Sequence, residues 1–205
     1  MPQARASAVP FNGGDAADSA RTIALQMLEE RGRGAVLVGV ARVDAALERL
    51  LQSVLLPTRG STDTFFQPDR PLGSFGARIT LAARLGLIDP HLEQALQTLR
   101  RVRNAFAHST TTATLADPSH ADRLAQAYAA ARSNSLWLPL ERILQEKVGG
   151  DGSPLDPALR DYILLITILV AFLEAAAQQL SPQPPAVVMG FGGIQPPVSG
   201  VENPG

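Results

Sequence analysis

The chain has no cysteine. Disulfides and thiolate metal sites are therefore excluded, and a reducing compartment suits it. It has almost no lysine: among 18 basic residues Lys147 is the single one. Its cationic chemistry is arginine chemistry, which favours forked contacts to carboxylates and phosphates. It has no surplus of positive charge either, the formal net charge being -1. Proteins that hold nucleic acid by bulk electrostatics carry a basic excess, so any such contact here must come from a local patch. No apolar run is of membrane length. The longest, Tyr162 to Leu173, lies between Asp161 and Glu174. It falls short of the roughly 20 residues that cross a bilayer and reads as a buried core helix. Residues 1–14 lack the apolar core of an export signal, so the cytoplasm is the expected location. His91, His108 and His120 are scattered, without metal-ligand spacing. There is no glycine-rich phosphate loop and no nucleophile elbow. The expectation is no metal and no cofactor.

What is present is helix. At 205 residues the simplest organisation is one domain with a single core. The pattern predicts a flexible lead over residues 1–14, a helical domain over 15–180 and a disordered tail over 181–205, rich in proline and glycine with Glu202 its only charge. Helices are expected over 15–30 and 34–55. Val36, Val40, Val43, Leu47, Leu50 and Val54 alternate in steps of four and three along the second, drawing one apolar stripe. Pro57 ends it. A loop over 57–71 follows, with two exposed-looking aromatics, Phe65 and Phe66. A helix over 74–85 then stops at Gly86. Asp89-Pro90, Asp117-Pro118 and Asp156-Pro157 each pair a capping aspartate with a proline suited to the first helical position. They predict helix starts at 90, 119 and 157, the last helix ending near Leu180. A helix over 138–147, closed by Gly149 and Gly150, completes the set. No strand pattern competes. The expected fold is an all-α bundle of six or seven helices.

One string stands out, Arg103-Asn104-Ala105-Phe106-Ala107-His108, just beyond Arg100 and Arg101. At about 100° per residue, Leu92, Ala95, Leu96, Leu99, Val102 and Phe106 share the core face, and Arg101, Asn104 and His108 share the opposite one. Arg103 falls about 40° from Leu99, within the apolar face. A charge there needs a partner. Asp44 and Glu48, beside the stripe of the second helix, are the expected ones, pairing with Arg103 or Arg78. Arg103 and His108 diverge by about 140°. They converge on one phosphate only if the helix frays or bends near His108, which the Ser109–Thr112 run favours, or if two chains contribute. A lone histidine at a helix C-terminus also serves simply as a partner of the helix dipole.

Two resemblances follow. Pro71-Leu72-Gly73-Ser74-Phe75-Gly76-Ala77-Arg78-Ile79, running on to Leu85-Gly86-Leu87-Ile88-Asp89, resembles the central signature of the mannitol operon repressor (MltR-like) family. The preceding acidic-apolar helix, with Asp44, Leu47, Glu48, Leu50 and Leu51, is similar too, so that the likeness covers roughly residues 35–180. It implies a regulatory protein acting through protein or nucleic-acid contacts. No helix-turn-helix recognition helix with base-reading residues is evident, so direct DNA readout is not expected. The spacing of Arg103, Asn104 and His108 resembles the motif of HEPN domains, small helical bundles that often dimerise. This second likeness implies a homodimer and, as the alternative function, metal-independent RNA cleavage of toxin or defence type. His108 would then move the proton, Arg103 would stabilise the phosphorane and Asn104 would orient His108 or a phosphate oxygen, with Arg100 and Arg101 as phosphate contacts and Asp44, Glu48 and Arg78 in support.

Overall fold

The computed structural model describes residues 13–30, 32–58, 63–109, 113–145, 155–183 and 187–195. Seven helices order the described chain: α1 (Gly13–Glu29), α2 (Arg33–Val54), α3 (Phe75–Arg84), α4 (Pro90–His108), α5 (Pro118–Arg132), α6 (Trp137–Gln145) and α7 (Pro157–Gln179). The all-α bundle is as expected, each helix within two residues of its anticipated bounds. The lead over 1–12, the Gly149-Gly150 stop and residues 110–112 lie outside the described residues.

The axis of the bundle is α7. Its residues 161–171 are buried throughout, because α1, α2, α5 and α6 all pack around it. A helix covered on every side has no need of a polar stripe, which accounts for its long apolar run, interrupted only by the buried Thr167. Among the described residues no helix is long and apolar enough to cross a membrane. Against α2 the seat is tight at Gly39. A methyl added there would sit 2.9 Å from the Tyr162 hydroxyl and 3.1 Å from Ile166 Cγ1. That gap lets the Tyr162 hydroxyl donate to the Val36 carbonyl at 3.0 Å. Burial pushes the Tyr162 phenol far above its ordinary range, so it stays neutral and keeps this bond.

Two of the three Asp-Pro starts cap as anticipated. Asp89 accepts from the Leu92 amide at 2.7 Å, and Asp156 accepts from Ala158 at 2.7 Å and Leu159 at 3.1 Å. Asp117 does not cap with its side chain. Its carboxylate turns back to the Thr114 amide at 2.9 Å and hydroxyl at 3.0 Å, a local pairing that competes with the cap. These bonds hold the carboxyl below its usual range, the Thr114 amide contributing most. At the end of α3, Gly86 takes φ 70°. Its amide donates to Ala83 and that of Leu87 to Ala82, both at 3.0 Å, the paired bonds of a left-handed helix stop.

Within the tail, the described residues depart from the expectation of no strands. Val188–Gly190 (β1) and Gly193–Gln195 (β2) pair antiparallel, with Met189 opposite Ile194. The physical reason is local: Phe191-Gly192 makes a two-residue loop and Gly193 takes φ 102°, so glycine here builds a reversal rather than merely loosening the chain.

Candidate functional site

The motif helix α4 packs its Leu96, Leu99, Val102 and Phe106 into the core, as its periodicity predicts. The carbonyls of its last turn are held from outside. Arg33, at the first position of α2, donates to the Ala107 carbonyl at 2.8 Å and the Ser109 carbonyl at 3.3 Å, and the Ser109 amide continues the ladder to Ala105 at 3.0 Å. The helix is thus regular and clamped through His108. The expected fraying does not occur among the described residues, because a cation from another helix satisfies carbonyls that would otherwise be orphans.

This has a direct consequence for the motif. Arg103 and His108 keep their divergence of about 140°. His108 is exposed. Arg103 is exposed as well, which corrects the expectation of a charge inside the core stripe: at the stripe's edge its long side chain leaves the packed face. Its Nη1 lies 3.4 Å from Asn104 Oδ1. Asn104 is half-buried. Arg103 shares a cleft of about 290 Å³ with Arg100, Asp44, Gly73, Ser74 and Phe75; His108 does not line it. Arg100 lies along Gly76, where a methyl would stand 3.5 Å from its Cδ, and its Nε donates to Gln97 at 2.9 Å. Arg101 is exposed on the outer face. Among the described residues no carboxylate lies in salt-bridge range of Arg100, Arg101 or Arg103.

Asp44 and Glu48 pair instead with Arg78. Its Nη1 lies 2.6 Å from Asp44 Oδ1 and its Nη2 2.8 Å from Glu48 Oε2. Arg78 is buried, 7% exposed. Its Nε donates to the Leu72 carbonyl at 2.9 Å and its Nη2 to that of Phe66 at 3.1 Å, while the guanidinium stands 5.9 Å from the Phe66 ring centroid. The fork of one arginine thereby ties α2 and α3 to the loop before α3. Phe66 is buried beneath it, a correction to the exposed-looking pair; only Phe65 remains at the surface, edge-on to Phe66 at 5.9 Å.

Two polar groups escaped the sequence reading. His120 is buried, its ring centroid 4.8 Å from that of Phe106, and its Nδ1 has no hydrogen-bond partner among the described residues. The signal was there: His120, Leu124, Ala127 and Ala131, all buried, repeat in steps of four, three and four. Asp161 is also buried. It meets Arg132 at 2.6 Å and Arg160 at 2.7 Å, joining α5 to α7. Among the described residues no cluster of acidic or imidazole groups could hold a metal ion. No protein-family model, curated protein or solved structure matches the chain.

Proposed function

We propose that the chain is a helical regulatory protein of the MltR-like kind, which acts by contact with an anionic protein or nucleic-acid partner. The observation that carries this reading is the arginine face of α4. Arg100, Arg101 and Arg103 have no carboxylate in range among the described residues, whereas Arg78 nearby is fully matched by Asp44 and Glu48. Desolvating three arginines needs an anion, and a partner's phosphates or carboxylates supply one. The test is fluorescence anisotropy with a mixed-sequence RNA and an acidic peptide, at low and moderate salt, for the wild type and the Arg100→Ala/Arg101→Ala/Arg103→Ala chain. Salt-sensitive binding to one probe, weakened at least about tenfold by the substitutions, is expected. Binding that survives the triple substitution, or none to either probe, overturns the reading.

The exposure of both Arg103 and His108 on one helix favours a second reading, a HEPN-type endoribonuclease assembled as a homodimer. The divergence within one chain is resolved if Arg103 of one copy faces His108 of the other across a two-fold axis. The RNA 2′-hydroxyl attacks the adjacent phosphorus, the bond to the 5′-oxygen breaks, and the imidazole takes or returns the proton. Arg103 stabilises the charge on the phosphorane. Cleavage in EDTA that leaves 2′,3′-cyclic phosphate ends, and is lost in His108→Ala and Arg103→Ala alike, is the expected result; intact RNA under those conditions rules it out.

A further inference from the structure

A cleft of about 690 Å³ opens where α2 ends and the loop before α3 turns. It shares no residue with the arginine cleft. Its volume falls within the roughly 300–1,000 Å³ of small-molecule sites. Leu55, Leu56, Phe65, Pro71 and Leu85 make its walls largely apolar, and Leu56, Phe65 and Leu85 are exposed there. Concave apolar surface left open to solvent marks a contact site. The loop wall is preformed. The Gln67 amide donates to the Thr64 carbonyl, that of Arg70 to Gln67 and that of Leu72 to Phe65, each at 3.1 Å, and that of Gly73 to Arg70 at 2.9 Å. A methyl at Gly73 would collide with the Gln67 carbonyl, so the reversal requires glycine. Arg78 holds the Phe66 and Leu72 carbonyls from beneath. The backbone that carries Phe65, Arg70 and Pro71 is thus fixed by the chain's own bonds.

We infer that this cleft binds a small monocarboxylate with an apolar body. The hydrocarbon lies against Leu55, Leu56, Phe65 and Leu85, and the carboxylate pairs with Arg70. Charge selects this class. Two charged side chains stand in the walls, Arg70 and Asp63. They are not in salt-bridge range of each other, and Arg70 has no carboxylate in range among the described residues. Asp63 is engaged in the turn, where its Oδ1 accepts from the Phe65 amide at 2.9 Å. The guanidinium is therefore the charge left for a ligand, and its planar fork matches a carboxylate. An acidic side chain in the same walls disfavours a second negative charge, so a phosphate monoester fits less well. Arg70 is exposed, which places the ion pair at the rim, where solvent screens it. The apolar body then supplies most of the affinity, and Arg70 selects acid over alcohol.

Amide NMR titration of the full chain tests this, with hexanoate and phenylpropionate as probes and phenylpropanol and phenylpropyl phosphate as their counterparts. Saturable shifts are expected at the amides of the cleft, those of Leu55, Leu56, Phe65, Arg70 and Leu85. Phenylpropionate is expected to bind about fivefold more tightly than phenylpropanol. Arg70→Gln should bring the acid to the alcohol's affinity and leave the alcohol unchanged. Leu56→Ser/Leu85→Ser should weaken acid and alcohol alike, by at least about tenfold. All three positions are exposed, so the bundle survives the changes. No saturable shift with either acid overturns the inference, as does an acid that binds no better than its alcohol or that ignores Arg70→Gln. Tighter binding of phenylpropyl phosphate than of phenylpropionate overturns the carboxylate assignment.

Discussion

Arg78 shows how much one side chain can decide. Within the Pro71–Ile79 string it is the one residue whose guanidinium reaches two carboxylates, two carbonyls and a ring at once. Replacing it by alanine leaves Asp44 and Glu48 facing each other without a cation. Both are partly solvated, with about a quarter to a third of each side chain exposed, which holds the expected loss to about 2–3 kcal/mol rather than the 3–5 of a fully buried pair. Denaturant unfolding of Arg78→Ala checks it. Arg78→Lys is expected to recover little, since one ammonium cannot span the same partners. Asp117 contributes at a smaller scale and with a pH signature. Its carboxyl is held below the ordinary value of 3.8, chiefly by the Thr114 amide. The stabilisation is therefore present at neutral pH and lost as pH falls through the lowered folded value. Melting curves of wild type and Asp117→Asn should differ at pH 7 and converge as pH falls below the ordinary carboxyl value of 3.8; a constant gap would mean that the charge is irrelevant.

Elements meet in this bundle through small residues and outside clamps. Gly39 gives α2 its close seat on α7. Gly39→Ala is expected to cost about 1–3 kcal/mol through overpacking against Tyr162 and Ile166. Gly34→Ala is the control on the same helix: its methyl meets only the flexible end of Glu30, at 3.0 Å, and should be near neutral in the same unfolding experiment. The end of α4 is decided the same way. Its Ser-Thr-Thr-Thr continuation reads locally as a fraying end, yet Arg33, 74 residues away from Ala107 in sequence, keeps the last turn in place. Periodicity placed Leu96, Leu99, Val102 and Phe106 correctly because α4 offers one broad face to the core. It misplaced Arg103 because a stripe's edge is set by the width of the neighbouring helices, which no window of α4 contains. His120 was missed for the opposite reason: the stripe His120, Leu124, Ala127 and Ala131 lies within α5 itself, but the histidine was weighed only as one of three scattered imidazoles.

At the scale of the whole molecule, the two function readings differ in how many chains make a site. A binding face on α4 works in one chain. The ribonuclease reading needs two, since Arg103 and His108 point apart on a clamped, regular helix. Mixing Arg103→Ala with His108→Ala chains separates the possibilities. In a shared two-fold site, the mixed dimer regains one intact Arg103–His108 pair, so roughly a quarter of wild-type cleavage should return on mixing. A site confined to one chain regains nothing.

The amino-acid order alone determined the helical class, the approximate bounds of all seven helices, the core faces of α2 and α4 and the bundle's apolar axis, because these depend on neighbours three or four residues apart and on capping residues beside them. Tertiary structure alone decided which carboxylates Arg78 takes, that Arg103 lines a cleft with no carboxylate in range among the described residues, that Phe66 and His120 are covered, and that α4 holds to its last turn. Each of these depends on a residue from another helix, 12 to 76 positions away for the hydrogen bonds concerned, and local sequence carries no record of what the fold brings alongside it.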